Sequence, residues 1–174
     1  MTGLGKVALI AGALALSACA DQRFGAGGGA GMGADGMAGA GAGAAAGSVS
    51  DPTSEAFFQE AVGDRVFFAV DQSTLSTKAR RMLDEQAEWL MTNSDFAATI
   101  EGHADERGTR EYNIALGDRR ANAVRDYLVS RGVAPNRITT VSYGKERPVA
   151  LCSDESCYSQ NRRAVTVLAL GAGV

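Results

Sequence analysis

The chain has 174 residues, of which 45% are hydrophobic and 22 are glycine. Its 17 Lys and Arg residues and 20 Asp and Glu residues give a net charge of −3 at pH 7. Because there is no basic excess, nucleic acid and anionic lipid surfaces are not expected as partners, and any anion would have to be recognised by particular arginines.

The first eighteen residues have the order of a secretory signal peptide. Lys6 is followed by an apolar run from Val7 to Leu16 and then by small residues up to Cys19. The run is shorter than the roughly twenty apolar residues that a membrane-spanning helix requires. We therefore predict that residues 1–18 are a signal peptide that is removed on export.

The segment Leu16-Ser17-Ala18-Cys19 resembles the lipobox of bacterial lipoproteins. In that class the cysteine carries diacylglycerol and acyl chains such as palmitate and becomes the first residue of the mature chain. Residues 19–24 would then be a lipidated N-terminus held in a bilayer. The alternative is an ordinary signal peptide that leaves Cys19 as a free thiol. By the same resemblance, Ala20 favours sorting to the outer membrane, and Asp21 argues weakly against it.

Residues 25–47 contain only glycine and alanine, apart from Met32, Asp35 and Met37. Such a stretch cannot bury enough apolar surface to offset its ordering entropy, so a flexible linker is predicted. As a random coil its ends would lie about 25 to 30 Å apart. Residues 48–174 have the composition of a single globular domain.

Apolar runs and turn signals alternate along this domain. Strands are predicted for residues 65–70, 96–102, 138–143 and 164–170, which are rich in β-branched and aromatic side chains. Helices are predicted for residues 76–91, 109–130 and 156–161, with Ser76 as an N-cap and Gly132 as a C-terminal stop. This order predicts a compact α/β sandwich whose last strand is antiparallel to its neighbour.

Cys152 and Cys157 flank a short polar segment. In an exported protein such an even pair favours a disulfide over a metal site. Zinc would need two further ligands, and the only histidine, His103, is far away in the sequence.

Polar residues are concentrated between Glu101 and Asn113, at a predicted strand end and the following helix start. Free backbone N–H groups and the helix dipole favour an anion at such a place. Asp105 and Arg120 are the strongest candidates for a binding role. No carboxylate lies three or four positions from Arg120, so its guanidinium is expected to need a partner from elsewhere. The alternatives are a turn role for Asp105 and, for Arg120, a solvated helix face or an ion pair with Asp105.

Several motifs carry a family resemblance. They are Phe67 to Leu75, EGHADERGTREYNIALGDRRANAVRDYLVSRGV from Glu101 to Val133, SYGKERP from Ser142 and NRRA from Asn161. Together they resemble the OmpA-like peptidoglycan-binding domain, and in detail the peptidoglycan-associated lipoproteins of the Tol-Pal system. The resemblance covers roughly residues 64 to 170. It implies a four-stranded mixed sheet covered by helices on one side.

The resemblance also implies a ligand, the meso-diaminopimelate of uncrosslinked peptide stems. Asp105 would bind its side-chain ammonium and Arg120 its carboxylate. Six further residues would shape the pocket or lie near it, namely Asp71, Gly108, Thr109, Asn113, Leu116 and Arg162. The sequence departs from the family at Val70, where an aromatic residue commonly precedes the aspartate. His103 is expected to be structural.

The implied function is a non-catalytic lipoprotein that tethers the outer membrane to the cell wall, with its domain in the periplasm and no cofactor beyond the lipid. TolB and other Tol proteins would be partners, with roles in envelope integrity and cell division. One alternative is another OmpA-like envelope lipoprotein outside the Tol-Pal system. A wall hydrolase using His103, Asp105 and Glu106 is disfavoured, because one histidine with clustered acids supplies neither a metal triad nor a nucleophile with its base.

Overall fold

The computed structural model describes residues 47–171. The predictions for the signal peptide, for Cys19 and for nearly all of the linker lie outside the described residues. The helices are α1 (Glu55–Phe57), which continues as a π-helical segment (Phe58–Gly63), α2 (Thr77–Thr92), α3 (Arg110–Ser130) and α4 (Glu155–Asn161). The strands are β1 (Arg65–Phe67), β2 (Phe96–His103), β3 (Ile138–Gly144) and β4 (Arg163–Leu170), with a 3₁₀ turn (Pro135–Arg137) before β3.

The four strands form one mixed sheet in the order β1-β4-β2-β3. β2 and β3 are parallel, and β4 is antiparallel to both β1 and β2. The predicted antiparallel last strand is therefore confirmed. The central pair places Gly102 opposite Ala164, so the end of β2 lies beside the start of β4. Both ends contribute residues to the site described below.

One face of the sheet is covered by α2 and α3. Alternate strand residues such as Ile100, Ala164 and Leu168 are buried together with Leu83 of α2 and Leu128 of α3. Burial of such side chains contributes about 1.5 to 3 kcal/mol each relative to exposure. The predicted four-stranded mixed sheet with helices on one side is therefore confirmed.

The helix ends follow the sequence signals. The Ser76 hydroxyl accepts a hydrogen bond from the amide of Ala79 at 3.1 Å, and the Thr109 hydroxyl accepts one from Tyr112 at 3.2 Å. Each such cap contributes about 1 kcal/mol. Gly132 follows α3 with a φ of +108°, which favours glycine.

A close contact between α3 and β2 positions the site. A Cβ atom at Gly102 would lie 1.9 Å from the carbonyl oxygen of Gly117. Only glycine permits this approach. The contact brings α3 close enough to β2 for Arg120 to reach the carbonyl of His103, at 2.7 Å.

Two predictions about the start of the domain need correction. The first strand ends at Phe67 and not at residue 70, because the chain turns beyond Phe68 and the carbonyl of Ala69 accepts a hydrogen bond from Arg120. The sequence reading also missed the helical segment from Glu55 to Gly63, which begins at a cap formed by Ser54. The segment is too short to show a clear helical periodicity of apolar residues. Packing of Phe58 against Trp89 stabilises it.

The loop before α4 is closed by a disulfide between Cys152 and Cys157, whose Cα atoms are 5.6 Å apart. Between residues 47 and 171, no helix combines the length and the hydropathy that crossing a membrane requires.

Candidate functional site

A cavity of about 320 Å³ lies where the loop after β1 meets the end of β2 and the start of α3. Seven of the eight residues predicted for the pocket line it, namely Asp71, Asp105, Gly108, Asn113, Leu116, Arg120 and Arg162. The eighth, Thr109, is not in the lining and acts instead as the N-cap of α3. The sequence reading did not select Arg107 and Tyr112 as site residues, and it noted Val70 only as a departure from the family pattern. All three line the cavity.

Asp105 is the acidic centre of the cavity, and it is already engaged by two arginines. Its Oδ2 atom accepts hydrogen bonds from Arg107 at 2.5 Å and from Arg162 at 3.2 Å. Its Oδ1 atom accepts one from the amide of Arg107 at 3.2 Å. Burial by itself would raise the pKa of Asp105, but the hydrogen bonds from Arg107 and Arg162 outweigh it and hold the pKa below its ordinary value. The carboxylate is therefore charged at neutral pH.

Arg120 lies beneath the cavity with no exposed side-chain surface. Its guanidinium donates hydrogen bonds to three backbone carbonyls, those of His103 at 2.7 Å, Gln72 at 2.8 Å and Ala69 at 3.2 Å. The expectation that it needs a carboxylate partner is therefore wrong, as are the alternatives of a solvated face and a direct pair with Asp105. Burial lowers its pKa to about 10, which leaves it charged at neutral pH.

Arg162 has contacts on both sides of the cavity wall, with Asp105 and with α4. Its side chain is buried, and its Nε atom donates to the carbonyl of Phe68 at 3.1 Å. One terminal nitrogen donates to Asp105 and the other to Glu155 of α4. Arg162 therefore connects the acidic centre of the cavity to α4.

Asp71 lines the cavity from the loop after β1, and the family resemblance implied a closing role for it. Its φ of +57° is unusual for a residue other than glycine, although aspartate tolerates it better than most. Its carboxylate accepts a hydrogen bond from the hydroxyl of Tyr112, and this bond raises the pKa of Tyr112. The side chain of Val70, which precedes Asp71 in the chain, is half exposed.

Interactions between its own residues stabilise the polar turn between β2 and α3. Asn113 is buried and donates a hydrogen bond to the carbonyl of Arg107 at 2.8 Å. Gly108 has a φ of +86°, which lets the chain turn into α3. Leu116, one turn further along, supplies an apolar wall. Asn113 therefore holds the backbone of Arg107, and its role in shaping the pocket stays a prediction.

His103 lies outside the cavity lining. Its ring is buried and stacked on Tyr143, with 5.6 Å between ring centroids. Burial and the nearby charges of Arg163 and Arg147 lower its pKa to about 4, so the ring is neutral at pH 7. This environment agrees with a structural role.

Arg107, Tyr112 and Glu155 had weak sequence signals. Arg107 stands in the same polar turn as Asp105, and Tyr112 lies on the first turn of α3 three residues after its N-cap. Glu155 begins α4, which ends at the C-cap Arg162 seven residues later, so this contact is local. Arg107 is about fifty residues away in sequence, and only the tertiary structure brings Glu155 to it.

The chain matches known proteins over this fold and cavity. Residues 67–162 match the OmpA family model. A peptidoglycan-associated lipoprotein of Rhizobium meliloti is 62% identical over 122 residues, which cover 70% of this chain and 69% of the relative. One from Pseudomonas aeruginosa is 47% identical over 163 residues, covering 94% of this chain and 96% of the relative.

A solved structure supports the same assignment. The crystal structure of the peptidoglycan-associated lipoprotein from Burkholderia pseudomallei is 38% identical, with a TM-score of 0.64 over 68% of this chain and 100% of that chain. The expectation of a non-catalytic protein agrees with these relatives, which are named for an association with peptidoglycan and not for a reaction. The chain therefore belongs to the OmpA family and, within it, to the peptidoglycan-associated lipoproteins.

Proposed function

We propose that this lipoprotein binds the meso-diaminopimelate of uncrosslinked stem peptides in the Asp105 cavity and tethers the outer membrane to the cell wall. The side-chain end of diaminopimelate carries an ammonium and a carboxylate. The observation that carries the proposal is that one cavity of about 320 Å³ is lined by two aspartates and three arginines. A site with fixed charges of both signs suits a zwitterion.

The aspartates would bind the ammonium. Asp105 is charged, buried and fixed by hydrogen bonds, while Asp71 is exposed on the facing side. Oxygen atoms from two sides can share the donors of one ammonium group. The approaching ammonium would compete for Asp105 with the Arg107 side chain, which is 45% exposed and pairs with that carboxylate at 2.5 Å.

Arg120 would act on the ligand carboxylate mainly through its charge. Because its side chain has no exposed surface, it sits below the cavity as a fixed cation in a low-dielectric interior. The N-terminus of α3, beside Gly108, adds a partial positive charge and backbone N–H groups. This refines the sequence-based role, in which Arg120 bonded the carboxylate directly.

The affinity for one stem peptide should be modest. Each charge-assisted hydrogen bond contributes about 1.5 to 3 kcal/mol net, and part of this offsets the cost of association. A modest affinity suits a tether, because each bond to the wall can be released and remade.

Peptide binding by the full chain in detergent tests this proposal. A tripeptide with meso-diaminopimelate should bind at least about tenfold more tightly than the same peptide with its side-chain carboxylate amidated. Asp105→Asn should lose binding, whereas Asp118→Asn, an exposed residue of α3, should keep it. Equal affinity for the two peptides, or unchanged binding by Asp105→Asn, would contradict the proposal.

The membrane anchor and the Tol partners rest on the sequence and on the family resemblance. We propose acyl chains and diacylglycerol on Cys19, an outer-membrane location, and association with TolB and other Tol proteins during cell division. Cys19→Ser should stop labelling by palmitate and remove the protein from the outer-membrane fraction. In-cell crosslinking should recover TolB with the unmodified chain. Palmitate labelling of the Cys19→Ser variant would contradict the lipid anchor. Crosslinking that recovers no TolB would contradict the association with Tol proteins.

A further inference from the structure

Glu155 is not in the cavity lining, yet it contacts two of the arginines that are. Its carboxylate pairs with Arg162 and lies 3.8 Å from a terminal nitrogen of Arg107. In the described part of the chain, the carboxylates within ion-pair distance of these two arginines are those of Asp105 and Glu155 alone. Glu155 and Asp105 therefore share the same pair of cations.

The charges of the site balance only when Glu155 is counted. The lining has three arginines and two aspartates, an excess of one positive charge. Glu155 brings the sum to zero. Without it, Arg107 and Arg162 would be left with Asp105 as their carboxylate partner, and an incoming ammonium would compete with both for the same oxygens.

The disulfide holds Glu155 in place. Cys152 and Cys157 close a ring of six residues that contains Glu155, and Cys157 is itself buried. The amide of Cys152 also donates to the Sγ atom of Cys157 at 3.3 Å. Inside the ring, Asp154 caps α4 by accepting from the amide of Ser156 at 2.8 Å. The backbone of Glu155 is thus fixed although its side chain is 61% exposed.

We propose that Glu155 is a positioning residue for ligand binding, and that the Cys152–Cys157 disulfide acts on the cavity through it. Glu155 shares Arg162, and at a longer distance Arg107, with Asp105, and so keeps part of that carboxylate available to a ligand cation. This inference rests on the proposed binding of diaminopimelate.

Glu155→Gln tests the first half in the full chain. The uncharged variant should bind the diaminopimelate tripeptide about three- to fivefold more weakly, in line with a partly exposed ion pair. The loss should be larger for the amidated peptide, because its side-chain end offers only an ammonium to a site that has become more positive. It should also shrink at 1 M salt, where the Debye length is about 3 Å. A loss of packing alone would show neither dependence.

Glu146→Gln is the matched control. Glu146 pairs with Arg110 at 3.3 Å on the surface and does not line the cavity. It should bind both peptides with the affinity of the unmodified chain. Equal losses in Glu155→Gln and Glu146→Gln would overturn the proposal, as would unchanged affinity in Glu155→Gln.

The disulfide is tested by a double-mutant cycle. Replacing both cysteines by serine should weaken binding about two- to fivefold in the unmodified chain. In the Glu155→Gln background the same replacement should have no further effect, because the group through which the disulfide acts is already gone. If the serine replacements lower the affinity equally in the two backgrounds, the disulfide does not act through Glu155.

NMR of the arginine Nε–H groups separates this proposal from the proposed function. Without any ligand, the signal of Arg162 should shift in Glu155→Gln and in the serine variant, and stay in place in Glu146→Gln. An unmodified chain that fails to bind the tripeptide contradicts the proposed function and with it the effect of Glu155 on affinity. A chain that binds, but whose Arg162 signal does not move, contradicts the positioning role alone.

Discussion

Arg120 and His103 are both buried basic side chains, and they are joined by a single hydrogen bond from Arg120 to the carbonyl of His103. Their surroundings differ. The guanidinium meets three carbonyl oxygens, whereas the two ring nitrogens of His103 have no hydrogen-bond partner among residues 47–171. The pKa of Arg120 falls to about 10 and that of His103 to about 4. At pH 7 the first is charged and the second is neutral.

Burial lowers both pKa values, but the ordinary pKa of an arginine lies far above that of a histidine, so only the guanidinium stays charged at pH 7. Carbonyl oxygens surround Arg120 and favour its cationic form. The charges of Arg163 and Arg147 near His103 disfavour a second cation. The cavity therefore has a permanent positive charge beneath it, while the nearby end of β2 remains neutral.

The largest effect is expected from Arg120→Met. This change leaves three inward-facing carbonyls without their donor, and it should lower the free energy of unfolding by about 3 to 5 kcal/mol. Chemical denaturation of the full chain measures it. Arg119→Met, at the exposed neighbouring position, should change the value by no more than about 0.5 kcal/mol. If the two variants have similar stability, the three carbonyls do not need Arg120 as their hydrogen-bond donor.

The next largest effect is a pH dependence of the folding stability, caused by His103. Because its pKa in the folded protein lies below its ordinary value of 6.5, the unfolded chain binds more protons between pH 6.5 and about 4. Stability should therefore fall as the pH is lowered through this window, by up to about 3 kcal/mol. Since His103 is the only histidine, His103→Phe should remove this dependence. If the stability of that variant depends on pH as the unmodified chain does, groups other than His103 cause the dependence.

Asp105→Asn should have a smaller effect on stability, about 2 kcal/mol, because Arg162 keeps Glu155 and the carbonyl of Phe68 as partners. The pKa of Asp105 is lowered, so its contribution is present above the ordinary value of 3.8 and is lost as the pH falls further. This loss occurs below the window of His103. Acid unfolding curves of the two variants should differ in these separate ranges.

Tyr112→Phe should have the smallest effect. It removes one exposed hydrogen bond to Asp71 and leaves the carboxylate free to rotate. We expect unchanged unfolding curves and a loss of about twofold in affinity for the diaminopimelate tripeptide. Calorimetric titration measures the affinity. A loss as large as that of Asp105→Asn would place the main cation contact at Asp71.

Much of the framework could be predicted from local signals. Ser76 and Thr109 mark the helix starts, Gly132 marks a helix end, and β-branched runs mark the strands. These signals act over a few residues, so a single sequence contains them in full. The short helix at Glu55 was missed because its stability comes from packing between Phe58 and Trp89, which are distant in sequence.

The sequence predicted which residues form the site better than it predicted their contacts. The motif around Asp105 and Arg120 indicated a cavity with both charges, and the structure brings seven of the eight predicted residues into one lining. The partners of each charge were not predictable. Arg120 is held by carbonyls of the loop after β1 and of the end of β2, and Asp105 by an arginine 57 residues further along the chain.

The sequence by itself predicted the order of the four strands and three of the helices, and its motifs indicated the family. Each of these depends on residue types at short spacing. The tertiary structure alone decided that Arg120 is buried, that the pKa of His103 is low, and that Glu155 contacts Arg107. These properties depend on which oxygen atoms and charges surround a side chain, and folding brings those together from distant parts of the chain.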